Sequence, residues 1–555
     1  MGYSTAVVHS SRFLWMIAVL SSVIVCLSLL PSLAQGGEPT YEKTLPRYLF
    51  IDRHHVQRIS ETVEHVFHQP VKADAPVLVP QEPWEGHGFN RILGGPIWCE
   101  DRSAWRMWYI GGSERLPLYA ESEGGITWVR PRLELVEWNG SKENNIIELG
   151  PKFEGKSNCV SIRRDDRDPD PARRYKGLSR HGGRMKYLVS ADGLTWRLIG
   201  EGHRSGDEYA LGYDTIHHRF LATLKIGGGW RGRVSGRFPV PEFGRAVSLS
   251  VSEDFETWSD PELIFWADEV DQRLGRKRMQ RAVDDPDLLT PRFVDPGQFY
   301  TDVYNMPIFT YEDIYLALPT MFNHSGPRAV DNQDGIMYPQ LIASRDLHTW
   351  DRLDREPFIP PSRLSESGRF DHGQLCGYPP VHRGNELWFY YWGARYTHGE
   401  GLGFPAPRTA FFLARLRVDG FASLHAGDEP GLVLTQVLHV TGPTLYVNVD
   451  AEGGELRTEI RDARTGASID GYAMGDIMGS RYIADGPLRW RVGDGARHAD
   501  DTTDNQTMAI RENTTAAPVR WKDKHDVSEL IGREVRISFY LRNAHLYSFW
   551  FSSGD

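Results

Sequence analysis

SADGLTW (Ser190–Trp196) is a short polar turn that ends in tryptophan, and it returns as VSEDFETW (Val251–Trp258) and SRDLHTW (Ser344–Trp350). Each copy closes an apolar segment with Ser, then Asp two residues on, then Thr-Trp. Short polar side chains in that order bond the backbone of a tight turn while the indole packs beneath it, so the aspartates read as structural. A degenerate first copy, SEGGITW ending at Trp128, has Gly124 where the others have Asp. The spacing of the tryptophans matches one four-stranded sheet plus insertions, the period of a β-propeller.

A second pattern gives the number of units. Apolar strand, polar turn and aromatic or aliphatic strand follow one another in GGPIWCEDRSAWRMWYIG (from Gly94), CVSIRRDDRDPDPARRYKGLSR (from Cys159), YALGYDTIHHRFLATLK (from Tyr209), NMPIFTYEDIYLALP (from Asn305) and GYPPVHRGNELWFYYWG (from Gly377). These read as the inner hairpins of five blades. Long helical periodicity is absent, and the expected fold is all-β: a five-bladed β-propeller over residues 81–427 followed by a C-terminal β-sandwich over 428–555. Residues 35–80, with YLFIDRHHVQRI and VFHQP, read as a lead-in segment that wraps the propeller.

The chain of 555 residues carries 63 Lys and Arg against 74 Asp and Glu, a formal charge of -11, which excludes the basic footprint of a nucleic-acid binder. Its first residues run from Arg12 through an apolar stretch, Phe13 to Leu30, to a small-x-small Ser32-Leu33-Ala34. That is the pattern of a signal peptide over 1–34 and of a secreted or periplasmic product, with membrane insertion only if the segment stays uncleaved. Cys99, Cys159 and Cys376 remain outside it, an odd number without CxxC, so neither a disulfide framework nor a zinc site is read. HExxH, EF-hand, Walker and dinucleotide motifs are absent, and no cofactor or metal is expected.

Several stretches together resemble secreted relatives of glycoside hydrolase families 32 and 43: LFID with HQP (Leu49–Asp52, His68–Pro70), PWE (Pro83–Glu85), the SxDGxTW turns, RYK (Arg174–Lys176), LRVDGFASL (from Leu416) and AHLYSFWF (from Ala544). The resemblance covers most of the mature chain and implies action at a glycosidic bond, at a chain end of a carbohydrate partner. Two departures count against a direct transfer. The Asn-Asp-Pro nucleophile motif of family 32 does not precede Gly94, and Arg167-Asp168-Pro169, which imitates that family's stabiliser motif, falls among prolines unsuited to a strand interior.

Topology locates the chemistry instead. Residues just before each inner strand gather at one mouth of a propeller, and hairpin turns gather at the other. This sets aside Asp165, Asp168, Asp214, Glu312 and Glu386 along with the turn residues Asp192, Asp254 and Asp346, and it promotes Glu85, Glu154, Asp207, Glu208, Asp302 and Asp371. Glycoside cleavage needs one carboxylic acid to protonate the leaving oxygen and one carboxylate to attack or to activate water. In the related families the acid stands at the start of the third inner strand, which here is Glu208, with Asp207 as the alternative. Asp302 is a base or clamp, and Asp371 or Glu85 a second carboxylate. Trp84, His87, Asn90, Arg91, Tyr304, His324, His372 and His398 suit sugar hydroxyls. Crowding of the carboxylates predicts a raised pKa for at least one of them. Two other readings stand beside the glycosidase: a non-catalytic glycan-binding propeller, and, third in rank, a sialidase, whose six blades exceed the five counted here.

Overall fold

The computed structural model describes residues 46–149, 158–227, 244–328, 332–399, 403–474 and 507–552. The proposed signal peptide, Glu154 and most of the insertion after Gly227 lie outside the described residues. Strands dominate what is described, and none of its helices is long and apolar enough to cross a membrane.

Antiparallel groups, numbered I to V, follow one another along the chain, and IV and V are joined in one eight-stranded sheet by the parallel pairing of Met337 with Gln374. In sheet I, Phe89–Ile92 and Ile97–Cys99 both pair with Ala104–Gly111, which pairs with Leu116–Ser122. Sheet II orders Asn158–Arg164, Tyr175–His181, Arg184–Ser190 and Arg197–Arg204. Sheet III orders Tyr209–Asp214, Arg219–Ile226, Ala246–Ser252 and Glu262–Trp266. Sheet IV is bent into two halves. Tyr300–Val303, Thr320–Pro327 and Gln333–Pro339 pair at one end, and Ile308–Tyr311, Ile314–Ala317 and Ile342–Ser344 at the other. Sheet V sets Gln374–Gly377 and Val381–Arg383 on Glu386–Ala394, then Thr409–Arg417, and takes its outer strand, Val71–Lys72, from the N-terminal segment.

First strands of neighbouring groups touch in cyclic order. A Cβ at Gly94 would lie 2.3 Å from the Ile162 carbonyl, and one at Gly212 would lie 2.6 Å from that of Ile308, so glycine is what lets these strands approach. Leu211 N donates to Ser161 Oγ at 2.9 Å, a Cβ at Gly377 would meet Leu318 at 3.3 Å, and Ile92 N donates to Tyr378 Oη at 3.0 Å, which returns from sheet V to sheet I. All five groups line one axial cavity of about 30 Å³, Arg91, Ser161, Leu211, Asn305 and Tyr378 among its walls. No closed sheet joins them among the described residues.

The repeated turns behave as their chemistry dictates. Asp192 Oδ1 accepts from the amides of Leu194 and Thr195 at 2.8 and 3.0 Å, Asp254 from Glu256 and Thr257 at 2.8 and 2.7 Å, and Asp346 from His348 and Thr349 at 2.8 and 2.7 Å. The turns also fasten one group to the next. Trp108 Nε1 of sheet I donates to the Gly193 carbonyl at 2.7 Å, and Tyr390 of sheet V donates to that of Gly125 at 2.6 Å.

Two further sheets pack face to face. One runs Val63–Phe67, Ala422–Ala426, Ala544–Ser552, Thr444–Asp450, Asn513–Pro518, with Tyr48–Leu49 added to Ala544–Ser552; the other centres on Glu534–Arg542, flanked by Gly431–Thr435, Leu438–His439 and Glu455–Asp462, with Val56–Ile59 at its edge. Val447, Leu456, Trp521, Phe539 and Phe549 fill the space between them. The segment expected as a lead-in thus supplies strands to both of these sheets and to sheet V.

One element departs from the reading of the sequence. Glu269–Asp284 is a helix of 16 residues, although no long helical period is legible there. Its buried positions include only Gly275, Met279 and Ala282 as small or apolar residues, beside buried Asp271 and Gln272, so the apolar stripe is too narrow to register. Capping holds it instead: Asp268 accepts from the amides of Val270 and Asp271 at 2.9 and 3.0 Å, and Arg355 binds both aspartates.

Candidate functional site

Glu208 stands one residue before the first strand of sheet III, buried, and both its oxygens accept from Arg91, at 2.6 Å each. Arg91 comes from the first strand of sheet I, so the pair ties sheet I to the start of sheet III. The neighbouring Asp207 has a side chain 66% exposed and pairs with Lys225, which is itself 6% exposed. Burial among protein atoms would lift the Asp207 carboxyl, but the Lys225 ammonium and, further off, Arg91 hold it well below the usual carboxylate range.

Asp302 lies on the first strand of sheet IV, buried, with Oδ2 accepting from Arg245 Nη1 at 2.9 Å and Arg245 N at 3.2 Å, and Oδ1 3.0 Å from His324 Nε2. Burial raises its pKa, and the Arg245 charge and His324 more than reverse that, leaving it at about 2. His324 is clasped between Tyr300 and Phe322, ring centroids 3.9 and 3.8 Å away.

Tyr304 joins the two halves of the site. Burial raises its phenol far above the ordinary value, and the charges of Glu208 and then Asp207 add to the rise. Lys225 Nζ sits 4.5 Å from its ring centroid, and His398 packs edge-on at 5.7 Å. His398 Nδ1 lies 2.7 Å from the Gln333 carbonyl, so that nitrogen carries the hydrogen and Nε2 keeps its lone pair. Burial, against the help of that hydrogen bond, lowers its pKa to about 4.

Of the carboxylates promoted by topology, Asp207, Glu208 and Asp302 therefore share one neighbourhood, and Glu85 and Asp371 share no partner with them. Glu85 is spent on structure: Oε1 accepts from Tyr109 at 2.6 Å and Arg130 at 2.7 Å, and Oε2 from the amides of Gln81 and Glu82 at 2.8 and 3.0 Å. Asp371 Oδ2 accepts from Lys72 at 2.7 Å and Tyr391 at 2.9 Å, tying the N-terminal strand to sheet V. Among the sugar-facing candidates, Arg91, Tyr304, His324 and His398 belong to the site. Trp84 instead donates to Asn145 at 2.7 Å and packs on Trp138, Asn90 donates to the Gly112 carbonyl, and His372 meets the Ser362 carbonyl. His87 is exposed, its carbonyl accepting from the Arg408 amide at 2.8 Å.

The expected raised carboxyl pKa is absent from Asp207 and Asp302, both of which are lowered. The reason is a set of cations that sequence reasoning passed over. Lys225 and Arg245 bring one positive charge to each aspartate, as Arg91 does to Glu208. Lys225 was detectable, since it ends the apolar strand FLATLK where a buried charge demands a partner; Arg245 follows an insertion and carries no such signal.

The set-aside residues lie elsewhere. Asp168 accepts from Lys176 at 2.7 Å and Arg173 at 2.9 Å and is held at about 2, beside a cleft of about 460 Å³ that also borders Asp254. Asp214 accepts from Tyr315 and Arg219 at 2.9 and 3.0 Å.

No family model matches the chain, and no curated protein matches it in sequence. Solved structures do resemble it. A putative glycoside hydrolase from Bacteroides ovatus is 14% identical, covering 63% of this chain and 97% of its own, with a TM-score of 0.37. An α-L-arabinofuranosidase from Podospora anserina, in complex with cellotriose, is 10% identical over 63% and 97%, with a TM-score of 0.38. An N-acetylgalactosamine deacetylase from F. plautii, in complex with blood group B trisaccharide, is 15% identical over 68% and 94%, with a TM-score of 0.34. Likenesses this distant assign neither an activity nor a substrate to the chain.

Proposed function

We propose that sheets I to V are the blades of a five-bladed propeller, with the two C-terminal sheets as an appended sandwich, and that the protein is an exported glycoside hydrolase acting at the end of a carbohydrate chain. The cyclic contacts and the cavity shared by all five first strands support the first part. The second rests on one observation: the exposed carboxylate of Asp207 and the buried one of Glu208 both act on the Tyr304 phenol, and buried Asp302 stands two residues before Tyr304 at the first strand of sheet IV. Export rests on the apolar N-terminal sequence.

In this reading Asp207, open to solvent and kept anionic by Lys225, is the carboxylate that attacks or activates water. Glu208 is the acid. Its oxygens are both held by Arg91, so protonation requires a substrate hydroxyl to take over one of the guanidinium donors. Asp302 supplies fixed negative charge to the oxocarbenium-like centre, oriented by Arg245 and His324. Glu208→Gln and Asp207→Asn should each lower turnover of a responsive aryl glycoside or oligosaccharide by about 100-fold or more in well-folded protein. Full activity in both variants would overturn the assignment.

The one-to-one neutralisation of the three carboxylates favours a second reading, a glycan-binding propeller without turnover. Binding of a glycan from the same panel without product release, weakened by Glu208→Gln, would decide for it.

A further inference from the structure

The lead-in sequence IDRHHV (Ile51–Val56) makes a turn against the hairpin of sheet IV at Asp313. His55 is buried, with Nε2 3.0 Å from Asp313 Oδ2, and the exposed His54 ring packs edge-on to it with centroids 4.8 Å apart. One nitrogen from each histidine and one Asp313 oxygen lie within 4.8 Å of one another. Asp313 Oδ1 is shielded from solvent and has no hydrogen-bond partner.

Arg345 does not fill that role. Its guanidinium is forked onto Asp52 at 2.8 and 3.1 Å and donates to the Asp313 carbonyl at 2.9 Å, touching the carboxylate only at Oδ2, at 2.7 Å. Asp52 and Asp313 against Arg345 leave one negative charge, which a divalent cation would offset. Two imidazole nitrogens and one carboxylate oxygen are the donor set of borderline ions such as Zn²⁺; Ca²⁺ and Mg²⁺ ask for oxygen alone.

We infer that His54, His55 and Asp313 form a binding site for a divalent transition cation of the zinc type, with water completing a tetrahedron. On binding, the His55 ring takes the tautomer that carries its single hydrogen on Nδ1, exchanged through solvent with no net loss of a proton, and the Nε2 lone pair takes the ion. Ligand atoms around tetrahedral zinc stand about 3.4 Å apart, so closure needs only a small swing of the exposed His54. The ion braces the segment that feeds strands to both C-terminal sheets and to sheet V. It takes no part in the chemistry around Glu208.

The test is calorimetric titration of the chelator-stripped full chain with ZnCl2 at neutral pH, with MgCl2 as comparison. Wild-type protein should take up Zn²⁺ and not Mg²⁺, with an upward shift of the melting temperature. His54→Ala, at an exposed position outside the Arg345–Asp52 pairing, should lose one equivalent or bind it at least about ten-fold more weakly, and Asp313→Asn should do the same. Absence of Zn²⁺ binding by the wild type, or unchanged binding in both variants, overturns the proposal.

Discussion

Phe255 and Leu347 hold φ angles of 66° and 68°, left-handed backbone that residues with a Cβ rarely adopt, at the place where Gly193 and Gly125 serve in the sister turns. The strain is held by the aspartate one residue earlier, whose carboxylate accepts from two amides further along the turn. Asp254→Ala should therefore cost about 1–2 kcal/mol in denaturant unfolding and leave specific activity intact. The converse holds in the degenerate copy. Gly124 has open space around its Cβ position and an ordinary φ, so Gly124→Asp should raise stability by about 1 kcal/mol by supplying the missing turn bonds; no gain would show that the first turn is held by Ser122 alone. Asp302 carries the acid sensitivity of the site. Its folded pKa of about 2 lies below the ordinary 3.8, so its contribution is present above pH 4 and is lost as pH falls from about 4 through 2. Asp302→Asn should flatten that limb of a stability–pH curve while exposing the cost of an unpaired buried Arg245, about 3 kcal/mol.

At the level of elements, the outer strand Val71–Lys72 is very short, and its grip comes from one side chain. Lys72 Nζ donates to Pro360 O at 2.8 Å, Ser362 Oγ at 2.6 Å and Asp371 Oδ2 at 2.7 Å. Lys72→Met should destabilise by about 3 kcal/mol by stranding Asp371, and Asp371→Leu on top of it should restore part of the loss. Both variants should keep their activity per folded molecule; a catalytic defect in Asp371→Asn with Lys72 intact would restore that residue to the site. The hairpin pattern of the sequence is what made the strands of sheets I to V legible, because alternation and turn chemistry are local. Partnerships made across hundreds of residues were not. Lys72 with Asp371, and Arg91 with Glu208, leave only isolated charges in the sequence, and the helix Glu269–Asp284 presents a polar face nearly all round. In the candidate site, the placement of Asp207, Glu208 and Asp302 at the starts of their strands was legible from strand order, whereas the structural duties of Glu85 and Asp371 depend on Arg130 and Lys72 arriving from elsewhere.

Across the whole molecule, Asp419 is a buried knot. It accepts from Arg47 at 2.6 Å, Tyr311 at 2.7 Å and Ser548 at 2.6 Å, and so joins the N-terminal segment, sheet IV and the last C-terminal strand. Arg417 adds a bond to Asn448 at 2.6 Å. Limited proteolysis near Gly427 should therefore fail to release a stable fragment of sheets I to V, and Asp419→Ala should make that connection cleavable; rapid release from the wild type would contradict the arrangement.

The pairing of Tyr48 with Phe549 has a consequence for synthesis. Tyr48–Leu49, Val56–Ile59 and Val63–Phe67 find their partners hundreds of residues later, in Ala544–Ser552, Gly431–Thr435 and Ala422–Ala426. A nascent chain keeps those strands as open edges until their partners are made, and a truncation that removes Ala544–Ser552 leaves Tyr48–Leu49 without a partner and opens one edge each of Ala422–Ala426 and Thr444–Asp450. A product clipped before Ala544–Ser552 would then expose adhesive β-edges, one of them contributed from its opposite end.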